Sequence, residues 1–435
     1  MGKTIMSIGT DPSLPSKAED GLGDRELIPH LVDRITACRL NRLRVLEGMS
    51  ADARILLDEL IVLATRGLPR MHSQGMFAHT LRSVRTAEGT SEQLEGESLR
   101  YTAIASLGLS CLADAVQCRI LAGSTAADLA QSCAKRAETT DDPGAVALAA
   151  WAAAEAGKFF ASKLFRRLSA LLATASPVTT VDCAWALTAA IGGQLFEDTS
   201  DLRTLAANRL LAGQAASGLF PHMLPSSASG RLRAHIGCFA DQVYPIQALS
   251  RLHAASGNPF AIRAAEAAAG RICALQGPAG QWWWHYDTRN GGVVEGYPVY
   301  SVHQHAIAPM ALLDLREAGG SDHWQAIIRG LEWLNQPPET PAPLVSPEKN
   351  VVWRKVARRE PNKAARALAA MATALTSGAR LRWLDIVFPP NRVDRECRPY
   401  EFGWLLYTWL AGGPVARLTP GRVDNQSSAS GGGAA

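Results

Sequence analysis

The sequence predicts an all-α protein, an α/α toroid in which about six helical hairpins curl into a closed ring. Three observations predict it: Ala/Leu-rich helical text broken by turn residues, a polar phrase that reopens a helix six times, and a Gln-to-aromatic phrase that occurs twice.

The helical text comes first. Segments of about 12 to 20 residues rich in Ala, Leu and Arg alternate with clusters such as Asp141-Asp142-Pro143-Gly144 and Gly319-Gly320-Ser321-Asp322. Strong helix formers punctuated by turn chemistry give many helices joined by short loops. Alternating β-branched runs are almost absent, so strands are expected to contribute little. The toroid is read as one domain over residues 26–415, with residues 1–25 and 416–435 as disordered tails rich in small and polar residues.

The polar openings set the ring. They stand at Glu97–Ala103, Thr179–Trp185, Phe239–Pro245, Tyr300–Ala306, Glu360–Ala364 and Arg398–Trp404, spaced by roughly 40 to 80 residues, room for one helical hairpin each. The second phrase is Gln214-Ala-Ala-Ser-Gly218-Leu-Phe220 and, about 62 residues on, Gln276-Gly-Pro-Ala-Gly280-Gln-Trp282. In each, the Gln amide is placed to cap the preceding helix end, the Gly to take a left-handed turn, and the aromatic ring to plug the gap between hairpins.

Composition bounds the function. Of 435 residues, 47% are hydrophobic and 19% charged, which supplies a large buried core and excludes disorder for most of the chain. Lys and Arg number 44 against 40 acidic residues, scattered and netting +4, so nothing predicts a nucleic-acid partner. The eight cysteines form no CxxC pair and read as reduced, core-filling thiols. With no apolar leader and no run of about 18 apolar residues, the chain is expected to be cytoplasmic and without a membrane span, peripheral membrane contact staying open.

The two Gln-to-aromatic phrases resemble the QW motif of the terpenoid cyclase and protein prenyltransferase superfamily, whose members are α/α toroids. The likeness is sharpest from Thr179 to Leu315. In class II cyclases of that superfamily a DxDD segment opens an inner helix and its middle aspartate protonates the substrate. The matching segment here, Thr179 to Ala184, keeps only Asp182, and Val181 stands where the proton donor would be. The prenyltransferases carry zinc on an Asp, a Cys and a His, and Asp182-Cys183 with His303 or His305 is similar, but the Asp and Cys are adjacent; no metal or other cofactor is expected. A further stretch, Trp282 to Asp287 followed by Tyr297 to His305, is similar to text in the helical domain of glucuronyl C5-epimerases, which implies an α/α barrel acting on a uronic-acid polymer.

In a toroid the inner helices run parallel, so their first turns meet at one face with unpaired N–H groups and positive dipole ends. The candidate catalytic residues gathered there are His303, His305, Asp241, Asp182, Tyr297 and Glu401. The candidate substrate-binding residues are Arg100, Tyr101, Trp283, Trp284, His285, Tyr286, Tyr300, Arg354, Arg358 and Tyr400. Asp182 and Asp241 also fit plain helix caps, whereas Arg and His oppose the dipole and need another reason. His303 and His305 are read as one facing the cavity and one packing, a neutral His at a helix start suiting a general base. Three consecutive tryptophans cannot all enter a core, so at least one is expected to line a cleft, where indoles stack on sugars or stabilise carbocations. Arg354 and Arg358 are expected on one helical face, able to hold a diphosphate or a uronide carboxylate.

The resemblances imply a divergent terpenoid cyclase- or prenyltransferase-like enzyme with an isoprenoid in its cavity. The alternative is a carbohydrate-active epimerase, lyase or hydrolase acting on an acidic glycan, and a third reading is a toroid that binds without chemistry. The partner is a small-molecule or glycan substrate, and the oligomeric state is left open. An aromatic tunnel favours the isoprenoid; an open cleft rich in Arg, His and Tyr favours the glycan.

Overall fold

A computed structural model describes residues 31, 41–87, 89–411, 413, 415 and 418. Cys38 and, apart from Leu418, the two expected tails lie outside these residues.

Helices alternate between an outer and an inner ring. In chain order, outer then inner, the first six are α1 (Ala51–Gly67) and α2 (Leu99–Leu109), α3 (Ala126–Ala137) and α4 (Pro143–Glu155), and α5 (Ser162–Ala173) and α6 (Thr180–Gly193). They continue as α7 (Ser200–Gly213) with α8 (Ala240–Ser256), and α9 (Pro259–Ala274) with α10 (Ala308–Glu317), the latter preceded by a π-helical turn at His303–Ile307. Helix α11 (Trp324–Asn335) is the last outer helix; α12 (Ala364–Leu375) lies outside both rings, and α13 (Pro399–Leu410) is the last inner one. Each even-numbered helix from α2 to α10 packs on the next, α10 packs on α13, and α13 returns to α2, so the ring closes.

Sequence explains which helices go inside. Helices α4, α6, α8 and α13 are buried almost all round, α4 and α6 through apolar, Ala-rich text and α13 through aromatic and Leu residues, whereas α5, α7 and α9 bury one face. The closing seam is made by glycine. A Cβ on Gly108 of α2 would stand 2.2 Å from the Gly403 carbonyl oxygen of α13, so the two backbones touch in a way no side chain permits.

The expected six openings are corrected in one member. Glu360–Ala364 opens α12, which packs on a strand and, with Ala365, Ala369, Ile236 and Val294, builds a small separate core. The missing inner helix is α4, opened by Pro143 and capped by Asp142, whose Oδ1 accepts from Gly144 N and Ala145 N. Both Gln-to-aromatic phrases form the same device, but the Gln does not cap the helix before it. Gln276 Nε2 donates to Gly280 O at 3.0 Å and to Ala326 O of α11 at 2.8 Å; Gln214 Nε2 donates to Gly218 O at 2.7 Å and to Ala264 O of α9 at 2.8 Å. The amide ties its loop to the next outer helix. Gly218 and Gly280 have φ of 86° and 95°, and Phe220 and Trp282 are fully buried.

Strands contribute more than expected. β1 (Met76–Thr86) and β2 (Gly89–Glu97) form a long antiparallel hairpin, missed because its alternation runs through Arg, Ser, Thr and Glu rather than β-branched apolar residues. Short strands follow, among them β3 (Ile236–Cys238), β4 (His285–Asp287), β5 (Gly292–Glu295), β6 (Val299–Tyr300) and β7 (Lys355–Ala357). Strands β8 (Arg392–Asp394) and β9 (Glu396–Cys397) pair with β7 and β1 respectively.

The barrel axis is filled. Trp185 meets Tyr244 at 5.0 Å, Tyr244 meets Trp404 at 6.1 Å, and Trp151 meets Trp404 at 5.3 Å and Tyr407 at 5.7 Å. All five rings are buried. Beneath them, at the C-terminal ends of the inner helices, Arg251 donates to Asp314, Glu155 and Tyr407, and Arg42 donates to Asp314, Glu317 and the Thr408 carbonyl. The seven described cysteines are all free thiols, and no helix of the described residues is long and apolar enough to cross a membrane.

Candidate active site at the helix openings

The first turns of the inner helices meet at the rim opposite the Arg251 network. The seam between α2 and α13 sets Tyr101 against Tyr400 with ring centroids 4.5 Å apart, and His79 of β1 stacks on Tyr101 at 5.1 Å. Arg398, just before α13, donates to the Tyr101 hydroxyl at 2.7 Å.

Two glutamates five residues apart have opposite electrostatics. Glu396 of β9 lies 3.0 Å from Arg398, 3.1 Å from Arg354 and 2.7 Å from Arg82. Burial resists its ionisation, but these arginines outweigh it and hold the carboxyl at about 2. Glu401, in the first turn of α13, has no solvent exposure, and neither of its oxygens accepts a hydrogen bond. Its ion-pair partner, Arg354 Nε, is 3.9 Å away. Burial pushes the Glu401 carboxyl up to about 8 against the pull of Arg354 and Arg398. At neutral pH one glutamate is an anion and the other an acid.

An aromatic wall continues the rim. Trp284 lies 4.8 Å from Tyr300 and 5.8 Å from His303, nearly parallel to the imidazole, and His303 also touches Tyr300 at 4.9 Å and Phe239 at 4.5 Å. Arg354 sits over Tyr300 at 5.0 Å and Arg366 over Trp284 at 5.8 Å. Burial first, then Arg354, holds His303 well below its usual range, so it is a neutral ring whose Nδ1 has no partner.

Two further carboxylates complete the circuit. Asp182 lies 3.2 Å from Arg100 Nη1, and Arg100 in turn donates to Asp142 and covers the Trp185 ring at 5.4 Å. Burial raises the Asp182 carboxyl despite Arg100. Asp241 accepts the Cys238 N–H at 2.7 Å and lies 3.2 Å from the half-exposed His222 ring, whose pKa that hydrogen bond raises.

No protein-family model matches the chain, and no curated protein matches it. Solved structures do. An unsaturated glucuronyl hydrolase specific for heparin aligns at TM-score 0.51 and 12% identity over 85% of this chain and 100% of that one. A type II terpene cyclase from Scytonema, in complex with geranylgeranyl dihydroxybenzoate, aligns at 0.42 and 13% over 83% and 98%. An inactive variant of an alpha-1,6-mannanase from Salegentibacter, in complex with alpha-1,6-mannotriose, aligns at 0.38 and 10% over 83% and 98%. The likeness is one of fold. It is the α/α toroid, carried by the first of these matches.

The toroid gathers Arg100, Tyr101, Asp182, Asp241, Trp284, His285, Tyr300, His303, Arg354, Tyr400 and Glu401 at or beside the rim, and sends other expected residues elsewhere. His305 is fully buried with neither ring nitrogen partnered, held at about 3 by burial. Tyr286 is fully buried in the core. Trp283 packs edge-on against Tyr297, whose hydroxyl donates to Glu339 at 3.0 Å. Arg354 and Arg358 do not share a helical face: they flank strand β7, with Arg354 turned to Glu396 and Arg358 tied to Glu295 at 2.9 Å. Cys183 faces away from Asp182, its sulfur lying 3.5 Å from the Ala206 carbonyl of α7, so the pair does not form a ligand set.

Glu396, His79, His222, Cys238 and Arg366 belong to the rim or its margin without having been singled out. They sit on the long strand β1, the short strands β3 and β9, a loop and α12.

Proposed function

We propose that the protein is a carbohydrate-active enzyme that uses general acid chemistry on an acidic glycan bound across the helix-opening rim. The observation that carries this reading is Glu401: fully buried, accepting no hydrogen bond, and held protonated at neutral pH by that burial beside a cluster of guanidinium groups. A carboxyl kept neutral by burial is a proton donor, and the departing oxygen of a glycosidic bond needs one in hydrolysis and in elimination alike.

The surroundings suit a uronide. Arg354 and Arg366 offer forks to carboxylates, while Trp284, Tyr300, Tyr101 and Tyr400 present flat faces on which sugar rings stack. Neutral His303, its Nδ1 unpartnered, stands as the base. Asp182, held by Arg100, is the second carboxyl. An isoprenoid inside the barrel needs a hollow axis, and the axis is occupied by Trp151, Trp185, Tyr244, Trp404 and Tyr407.

The test is a thermal-shift comparison of uronic-acid oligosaccharides with prenyl diphosphates, followed by an assay for new reducing or unsaturated ends. Stabilisation grows as RT ln(1 + [L]/Kd), so a ligand at about 100 Kd adds about 2.7 kcal/mol. A shift with the uronides alone, with product formed, is expected. A shift with the diphosphates alone overturns the reading.

A further inference from the structure

Beside the rim, at the start of α8, lies a cluster that the glycan chemistry does not use. His222, Cys238 and Asp241 each place one ligand-type atom within 4.8 Å of the others. We propose that these three side chains, completed by His285, form a binding site for a zinc-type divalent transition ion.

The donor set is the first argument. A thiol, a carboxylate and imidazoles are borderline-soft ligands that select zinc or cobalt over calcium or magnesium. Bonds of about 2.0 to 2.3 Å in a tetrahedron put ligand atoms roughly 3.3 to 3.8 Å apart, and His222 Nδ1 already lies 3.2 Å from Asp241 Oδ2. The remaining adjustment is about 1 Å.

Support for the ligands is the second argument. Asp241 is fully buried and oriented by the Cys238 N–H at 2.7 Å. One buried amide clamps the segments that carry the other two: Gln242 Oε1 accepts from Phe220 N at 2.8 Å, and its Nε2 donates to Phe220 O at 2.9 Å and to Cys238 O at 3.1 Å. Outer hydrogen bonds of this kind fix ligand orientation in metal sites. The half-exposed His222 leaves an entry path from the rim.

The third observation is independent of the cluster. His285 lies directly opposite Cys238 in the β3–β4 pairing, is 4% exposed, and carries an Nδ1 without a partner. Buried imidazole nitrogens are ordinarily satisfied, and a cross-strand neighbour sits about 4.5 to 5.5 Å away at Cβ, so the ring has to swing toward an ion held by the other three, whose ligand atoms alone lie within 4.8 Å of one another.

The site does not depend on the substrate class. The experiment is a zinc titration of the metal-free full-length protein in competition with a chromophoric chelator, paired with the absorption spectrum of the cobalt(II) form. One equivalent of zinc is expected, unaffected by calcium or magnesium, with a thiolate-to-cobalt charge-transfer band that Cys238→Ala removes. His222→Ala, at a half-exposed position that leaves the fold intact by circular dichroism, weakens binding on the order of 100-fold or more. His285→Ala also weakens it, and full affinity in that variant overturns the fourth ligand. Absence of the band, or unchanged affinity in both His222→Ala and Cys238→Ala, overturns the site.

Discussion

The two ends of the barrel bury charge in opposite ways. At the C-terminal ends of the inner helices, Asp314 lies between Arg251 and Arg42 at 2.7 Å each, and Arg251 also reaches Glu155 and Tyr407. Burial works against the Asp314 anion, yet Arg251 and Arg42 hold its pKa down. At the other end Glu401 is equally buried and accepts no hydrogen bond. Taking charge from water is costly unless it is paired, so the partnered end holds the ring together and the unpartnered end sacrifices stability. A buried group with a displaced pKa in a polar rim marks chemistry rather than architecture.

The sharpest way to break this contrast is to exchange the roles. Glu401→Gln keeps the shape and removes the proton, so turnover of a uronide substrate is expected to fall by about 10²- to 10⁴-fold with the melting temperature unchanged or raised. Steady-state kinetics with calorimetry of the same preparation reads both. Full activity in this variant would falsify the acid role.

Asp314→Asn makes the complementary cut. It leaves Arg251 and Arg42 buried without their shared carboxylate, and a loss of about 3 to 5 kcal/mol in denaturant unfolding is expected, with activity per folded molecule preserved. A loss below about 1 kcal/mol sinks the idea that this network fastens the ring.

Gln276→Ala probes the seams between outer helices. It removes the hydrogen bonds that the Gly280 and Ala326 carbonyls accept from the amide and cuts the loop's tie to α11, for an expected cost of about 1 to 3 kcal/mol in the same unfolding experiment. Gln214→Ala repeats the geometry one hairpin earlier and is expected to cost a similar amount. A marked difference between the two would show that the seams are not equivalent.

How much of this was legible follows from what each signal reports. The openings at Glu97, Thr179, Phe239, Tyr300 and Arg398 locate inner helices because a polar residue before apolar text is a local event. Glu360 misled because Glu-Pro-Asn-Lys reads the same whether the helix enters the ring or packs on β5. The Ala-rich stretch of α4 reads as a buried helix, but its start is not counted among the openings because Asp142-Pro143 reads as an ordinary loop. Arg354 and Arg358 illustrate a real degeneracy: positions four apart share a face on a helix and on a strand alike, so spacing alone does not separate them. Glu401 was visible as an acidic residue in a first turn. Its isolation was not, because that depends on Glu396 drawing Arg398 and most of Arg354 from another strand.

That isolation also predicts an effect specific to pH. The Glu401 carboxyl sits at 4.5 when exposed and at about 8 in the fold, so between these values the folded protein binds a proton that the unfolded chain has released. Stability from this group is therefore full below about pH 4.5 and falls as pH rises to about 8, with a slope of at most about 1.4 kcal/mol per pH unit. Glu401→Gln has no proton to lose, so the difference between wild type and variant should open steadily across this window and stay constant above it. The proton-donor activity of the wild type should fall away above about pH 8, where the acid form is exhausted. Urea midpoints at pH 5, 6, 7 and 8 on both proteins measure the first expectation, and parallel curves would mean that Glu401 finds a hydrogen-bonding partner in solution.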